Sequence, residues 1–241
     1  MARFRPGWQM SLFVLLMLPL LLSLGSWQLR RGAEKEALEA GYLARSGDLP
    51  VAGSSLDSVD RDAMAFVRVR LQGRYQHGEY YLIDNQVRDG VVGYWVLHRF
   101  LSDDDRLWFV NRGFIAATKQ RTMLPEVSSP AGGQQITAII WPDTGLQPRF
   151  GDAPGIGPWP QLRQRIDVAA LVAESPNSLP VELRLEAGQP GALLPAPSSF
   201  ASGAARHRGY AVQWFALAAV LMMGFIVFGL RRSAADDADS V

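Results

Sequence analysis

Hydropathy divides the chain into two long apolar ends and a middle that alternates. Pro6 to Leu29 and Gly209 to Leu230 each run without one charged residue. As a helix, the 22 residues of the second run span roughly 33 Å at 1.5 Å per residue, which matches a hydrocarbon core of about 30 Å. The pattern predicts one transmembrane helix over 8–29, kinked but not forbidden by Pro19, and another over 209–230. Residues 231–241 then form a short cytoplasmic tail. Between the spans, 30–206 is expected to be an extracytoplasmic β-rich domain. Val67, Val69 and Leu71 alternate with Arg68, Arg70 and Gln72, the period of a strand with one wet face, within Phe66 to Tyr75. Further strands are expected at Glu79–Asn85 after a His77-Gly78 turn, at Val91–Leu101, from Arg106 to Asn111, at Gln135–Trp141 and at Val181–Glu186.

Helical signals in the middle are few. Glu34 to Arg45 reads as a short helix leaving the membrane, and Ile166 to Glu174 as another with Asp167 as its N-cap. Gly47–Asp62, Phe150–Pro160 and Gln189–Ser202 read as loops. Short strands separated by turn signals predict a mainly antiparallel barrel or sandwich, its first four strands a meander, between two transmembrane α-helices.

A cleaved signal peptide competes with an anchor for the first span: Arg3 and Arg5 form a basic leader and Ser23-Leu24-Gly25 a small-x-small site. The apolar run is long for a signal, which favours the anchor. Two short tails around one large loop favour the loop outside. With no Arg/Ser-rich presequence, a bacterial inner membrane with the large domain on the periplasmic side is expected.

Composition removes several functions. A net charge of +1 gives no reason to expect nucleic acid as a partner, and the absence of cysteine excludes disulfides, thiolate metal sites and a cysteine nucleophile. No phosphate loop, nucleophile elbow or helix-borne histidine pair occurs, so no catalytic residues are assigned. Gly151, Gly155 and Gly157 lie in a proline-rich loop, not in a nucleotide fingerprint. Asp103 to Asp105 reads as a solvated hairpin turn. His77 and His98 read as surface or strand histidines.

His207 stands out by its place. With Tyr210 and Trp214 it shares one helical face by i, i+3, i+7 spacing, at the rim of the second span. An interfacial aromatic belt explains Tyr210 and Trp214; Gln213, about one turn inside the span, is costly there without a partner. In a hairpin, Trp27 and Gln28 at the exit of the first span meet the same membrane face. Trp27, Gln28, His207, Tyr210, Gln213 and Trp214 are thus expected to converge, ringed by Arg30, Arg31, Arg206 and Arg208. Such a rim offers an imidazole to haem iron, flat aromatic walls and arginines for carboxylates; helix–helix packing explains the same residues.

Three blocks resemble one family. Gly25-Ser26-Trp27-Gln28-Leu29-Arg30-Arg31, Val110-Asn111-Arg112-Gly113-Phe114-Ile115 preceded by Gly93-Tyr94-Trp95-Val96, and His207-Arg208-Gly209-Tyr210-Ala211-Val212-Gln213-Trp214-Phe215 are similar to blocks of the Surfeit-locus-one/Shy family of cytochrome c oxidase assembly proteins. Phe114 stands where that family usually has Trp, Ala116 where it has Pro, and Arg206 where it commonly has Asn. The resemblance implies a non-enzymatic role: assisting insertion or retention of haem A in oxidase subunit I, with His207 on the iron side and Trp27, Gln28, Tyr210 and Trp214 shaping the pocket. Subunit I, haem A synthase and the lipid bilayer are the implied partners. A cofactor-free membrane module that clamps oxidase subunits is the alternative. A sensor is disfavoured by the short tail after Arg232.

Overall fold

The computed structural model describes residues 4, 6–58, 61–118, 123–142, 157–175, 177–195 and 201–238. Most of the expected Phe150–Pro160 loop, including Gly151 and Gly155, lies outside the described residues. So does the end of the tail beyond residue 238. The chain divides into two compact units. One joins its first helix, up to Ala40, with its last; the other begins at Gly41 and holds every strand.

The strand-bearing unit is a small barrel. Strand β1 (Val51–Ala52) is followed by two short 3-10 turns, then by β2 (Arg68–Arg88), β3 (Val91–Ser102), β4 (Leu107–Ala116), β5 (Gln134–Trp141), β6 (Gln161–Arg163), helix α2 (Val168–Glu174) and β7 (Ser178–Leu185). The strands β2, β3 and β4 form an antiparallel meander of three where four were expected, because the first two expected strands are one continuous β2. Parallel β7 joins β4, antiparallel β5 joins β7, and β5 returns to the first third of β2, which closes the ring. The sheet is therefore mixed but mostly antiparallel, with β1 and β6 added in parallel along β2.

Closure depends on β2 changing partners. Gly73 pairs with both Ser102 of β3 and Gln134 of β5. A Cβ at Gly73 would run into the backbone of Leu101 and Ser102, so only glycine fits this crossing. The His77-Gly78 signal, expected to be a turn, lies inside β2. Gly78, at φ 72°, provides an irregularity instead: Tyr75 pairs with Phe100 and Tyr80 with His98, so five steps on β2 oppose two on β3. A positive-φ glycine between two strand-forming runs bulges a continuous strand as readily as it ends one.

Side chains from all closing strands fill the barrel. Trp108, Phe100, Val69, Ile136 and Leu183 are almost completely buried and belong to one apolar cluster. Asp167 caps α2 as expected, its Oδ1 accepting from the Ala170 N–H at 3.1 Å. At the start of this unit, the Tyr42 ring packs edge-on to Phe66, and Arg45 Nη1 donates to the carbonyls of Ala63 and Ala65.

The other unit is an antiparallel pair of long helices, α1 (Trp8–Arg45) and α3 (Ala201–Ala238). Both are long and apolar enough to cross a membrane. The short helix expected at Glu34–Arg45 is continuous with the first span. Only Gly32 and Gly41 interrupt the helix formers after Leu29, and the residues from Ala33 to Ala40 are strong ones, supported by an Arg31–Glu34 pair at 2.8 Å. The irregular stretch expected through Ser202 ends earlier, because α3 begins at Ala201.

Candidate functional site

The helix pair is built on small residues. Ala204, Ala211 and Ala218, seven apart on α3, are buried, as are Val14, Gly25 and Gly32 on α1. A Cβ on Gly25 would lie 2.7 Å from the Phe215 ring; one on Gly32 would lie 3.6 Å from the Ala204 carbonyl and from His207 Cβ. Without a hydrophobic drive between helices in lipid, such close backbone approach lets dispersion hold them. Far along the pair, the Phe4 and Phe225 rings meet edge to face at 5.2 Å.

This approach brings Gln28 against His207. The His207 Nδ1 to Gln28 Oε1 distance is 2.6 Å. An amide oxygen only accepts, so Nδ1 carries a proton, and in the neutral ring the lone pair is then on Nε2. Among the described residues Nε2 has no hydrogen-bond partner. One nitrogen oriented by a neutral acceptor and the other open is the arrangement of a metal-ligating histidine with its outer partner.

The other expected residues divide. Trp214 is half-buried and shares the His207 face, as does the more exposed Tyr210. Gln213 lies about 180° around α3 from the alanine seam, and it is exposed; its expected pairing with the first helix does not form, because Gln28 is taken by His207. Trp27 lies about 160° around α1 from Gly25, is 43% exposed and faces away from α3. The structure thus brings Gln28 to His207, leaves Tyr210 and Trp214 on the His207 side of α3, and turns Trp27 and Gln213 outward. Of the ringing arginines, Arg208 pairs with Glu36 and Arg31 with Glu34, whereas Arg30 and Arg206 have no carboxylate partner among the described residues. A cleft of about 420 Å³ between Glu36, Glu39, Ala204, Ala205 and Arg208 includes none of the expected pocket residues.

The barrel contains a second polar centre. His98 is fully buried on β3, not a surface histidine. Its Nε2 is 2.8 Å from the Gln76 carbonyl on the β2 irregularity, so Nε2 carries the proton, and Nδ1 accepts from Arg112 Nη1 at 2.9 Å. Burial pushes His98 down to about 4; the Gln76 carbonyl opposes this and the Arg112 charge adds to it. Arg112, itself buried, also donates from Nε to the Gly191 carbonyl at 2.6 Å and from Nη2 to that of Ser128 at 2.8 Å, with its guanidinium 5.1 Å from the Tyr75 ring centre. Asn111 donates to Glu182 at 2.9 Å and accepts from the Gly113 N–H, where φ is 114°. The Val110–Ile115 block is therefore a clasp. Together with the Leu193 N–H to Arg112 carbonyl bond and the Phe114 N–H to Leu194 carbonyl bond, it fastens residues 191–194 to β4.

Sequence reasoning overlooked the His98–Arg112 pair, although a signal was present. Tyr94, Val96, His98 and Phe100 fall on alternate positions of one strand, and all four are buried.

A search of curated proteins finds no match. The sequence matches the profile of the SURF1 family over residues 15–219, from within the first span to within the last. That match takes in the His207–Gln28 pair and the clasp around Arg112 alike, and it covers most of the 241 residues. With two membrane-competent helices around a mostly antiparallel barrel, the chain belongs to the SURF1 family, which is associated with cytochrome c oxidase assembly.

Proposed function

We propose that this chain assists insertion or retention of haem A in subunit I of cytochrome c oxidase, from a bacterial inner membrane with its barrel on the periplasmic side. Haem A is cargo in this reading, received from haem A synthase and passed on. The observation that carries it is His207, whose Nδ1 is held by Gln28 while Nε2 has no partner among the described residues. The donor set suits the cargo. Tyr210 and Trp214, on the His207 face of α3, offer flat apolar walls for the macrocycle. Gln28 acts as the orienting residue, holding the imidazole in one tautomer. Family membership supports the oxidase as destination.

The same hydrogen bond favours one other reading. It ties α1 to α3, which is enough for a cofactor-free clamp on oxidase subunits. Purification from membranes of cells making haem A separates the two. The haem reading expects a Soret band with the wild-type chain and its loss in His207→Ala. Oxidase subunits recovered without pigment, or a His207→Ala chain that binds haem and supports assembly like wild type, would reject it.

A further inference from the structure

Gln213 is costly where it stands and is not used by any described residue of the chain. It lies inside the uncharged Gly209–Leu230 run, exposed on the side of α3 turned away from α1. Among the described residues it has no hydrogen-bond partner. An amide facing lipid has no water to satisfy it, so its position favours any neighbour that can.

The surroundings of Gln213 point the same way. Positions 209, 213, 216, 220, 224 and 227 recur at steps of four and three, which forms one stripe along α3. Gly209 and Gly224 sit on it, and a Cβ at either would touch nothing within 4 Å. Gly25 and Gly32 have α3 to explain them; these two have no such neighbour among the described residues. All four apolar members of the stripe's centre and ends, Ala216, Val220, Gly224 and Val227, are exposed. Arg206 falls on the same stripe but outside the uncharged run, at headgroup level, where phosphates can neutralise it.

We propose that this stripe is the interface of a parallel homodimer, with Gln213 of each copy paired to Gln213 of the other. Two copies inserted the same way are related by a two-fold axis along the membrane normal, which sets each stripe residue opposite its own equivalent. An amide is donor and acceptor at once, so a Gln–Gln pair across that axis satisfies both side chains and needs no other polar residue. Gly209 and Gly224 let the backbones come close on either side. The occupant is a second copy, because the self-complementary group is the only hydrogen-bonding side chain that the stripe offers inside the uncharged run. The interface does not depend on haem, since His207 lies on another face.

The absence of cysteine makes the test direct. Single cysteines are placed in the full chain at Val220 on the stripe and at Ile226, exposed on another face, and native membranes are oxidised with copper phenanthroline. The homodimer predicts at least five-fold more disulfide-linked dimer from Val220→Cys than from Ile226→Cys. Adding Gln213→Leu should reduce the Val220→Cys yield to the Ile226→Cys level, while Gln213→Asn, which keeps the amide, should retain most of it. Equal yields at the two positions, no response to Gln213→Leu, or Val220→Cys joined only to a different protein would each overturn the proposal.

Discussion

The two histidines described above, one in each unit, show opposite uses of the same side chain. His98 in the barrel has both ring nitrogens engaged, one donating to Gln76 and the other accepting from Arg112. His207 in the helix pair has one nitrogen engaged and one open. A ring tied at both ends can only hold structure; a ring tied at one end is oriented and still available. Burial sharpens the contrast, since His98 is sealed at 0% exposure whereas His207 is only half-buried. The Val110–Ile115 and His207–Phe215 blocks therefore divide into a clasp and a candidate site, although both read in sequence as polar groups among apolar ones.

The barrel side of this contrast breaks most severely at Arg112. Arg112→Ala leaves His98 Nδ1 and the Ser128 and Gly191 carbonyls without their donor, each costing about 1–3 kcal/mol, for a total on the order of 4 kcal/mol. Thermal unfolding of the full chain, followed through the barrel's tryptophans, should show this loss, while pigment binding by whatever remains folded should persist. Next in size is the titration of His98. Its folded value, about 4, lies below its ordinary 6.5, so the unfolded chain takes up a proton first as pH falls. Stability is fully present above pH 6.5, falls between 6.5 and about 4 by on the order of 3 kcal/mol, and then levels off. Urea unfolding across this range checks it, and His98→Asn should flatten the slope.

The helix pair responds to smaller changes. Gly25→Ala places a methyl 2.7 Å from the Phe215 ring and should weaken the α1–α3 association by about 1–3 kcal/mol, read by cross-linking or detergent-dependent unfolding. Gln28→Leu removes one interhelical hydrogen bond worth about 1 kcal/mol. Its structural effect should be slight and its effect on pigment larger, because the imidazole loses its orienting acceptor. A Gln28→Leu chain with unchanged pigment and weaker helix association would favour packing over orientation.

Periodicity made much of this architecture legible. Both spans follow from uncharged length, and alternation located the strands from Val67 onward. What it could not distinguish was a turn from a bulge at Gly78, since local preference is the same and only the pairing of Tyr75 and Tyr80 with β3 decides. The continuity of α1 beyond Leu29 was missed for a related reason: a change from apolar to charged marks the edge of lipid, not the end of a helix. At the candidate site, spacing puts His207, Tyr210 and Trp214 on one side of α3, because one helix dictates that. It could not orient Gln28 against Trp27, or Gln213 against the seam, since that requires knowing which faces of two helices meet. Gly25, Gly32 and the alanines at 204, 211 and 218 contain that information, in the small residues between the named motifs.

The claim that His207 is the available imidazole is tested most directly by nitrogen NMR of the full chain in lipid nanodiscs, labelled at its three histidines. The account predicts a neutral His98 protonated at Nε2 and a His207 protonated at Nδ1, with added haem A perturbing the His207 Nε2 resonance and leaving His98 unchanged. A His207 protonated at Nε2, or a haem-dependent change at His98 with none at His207, would contradict it.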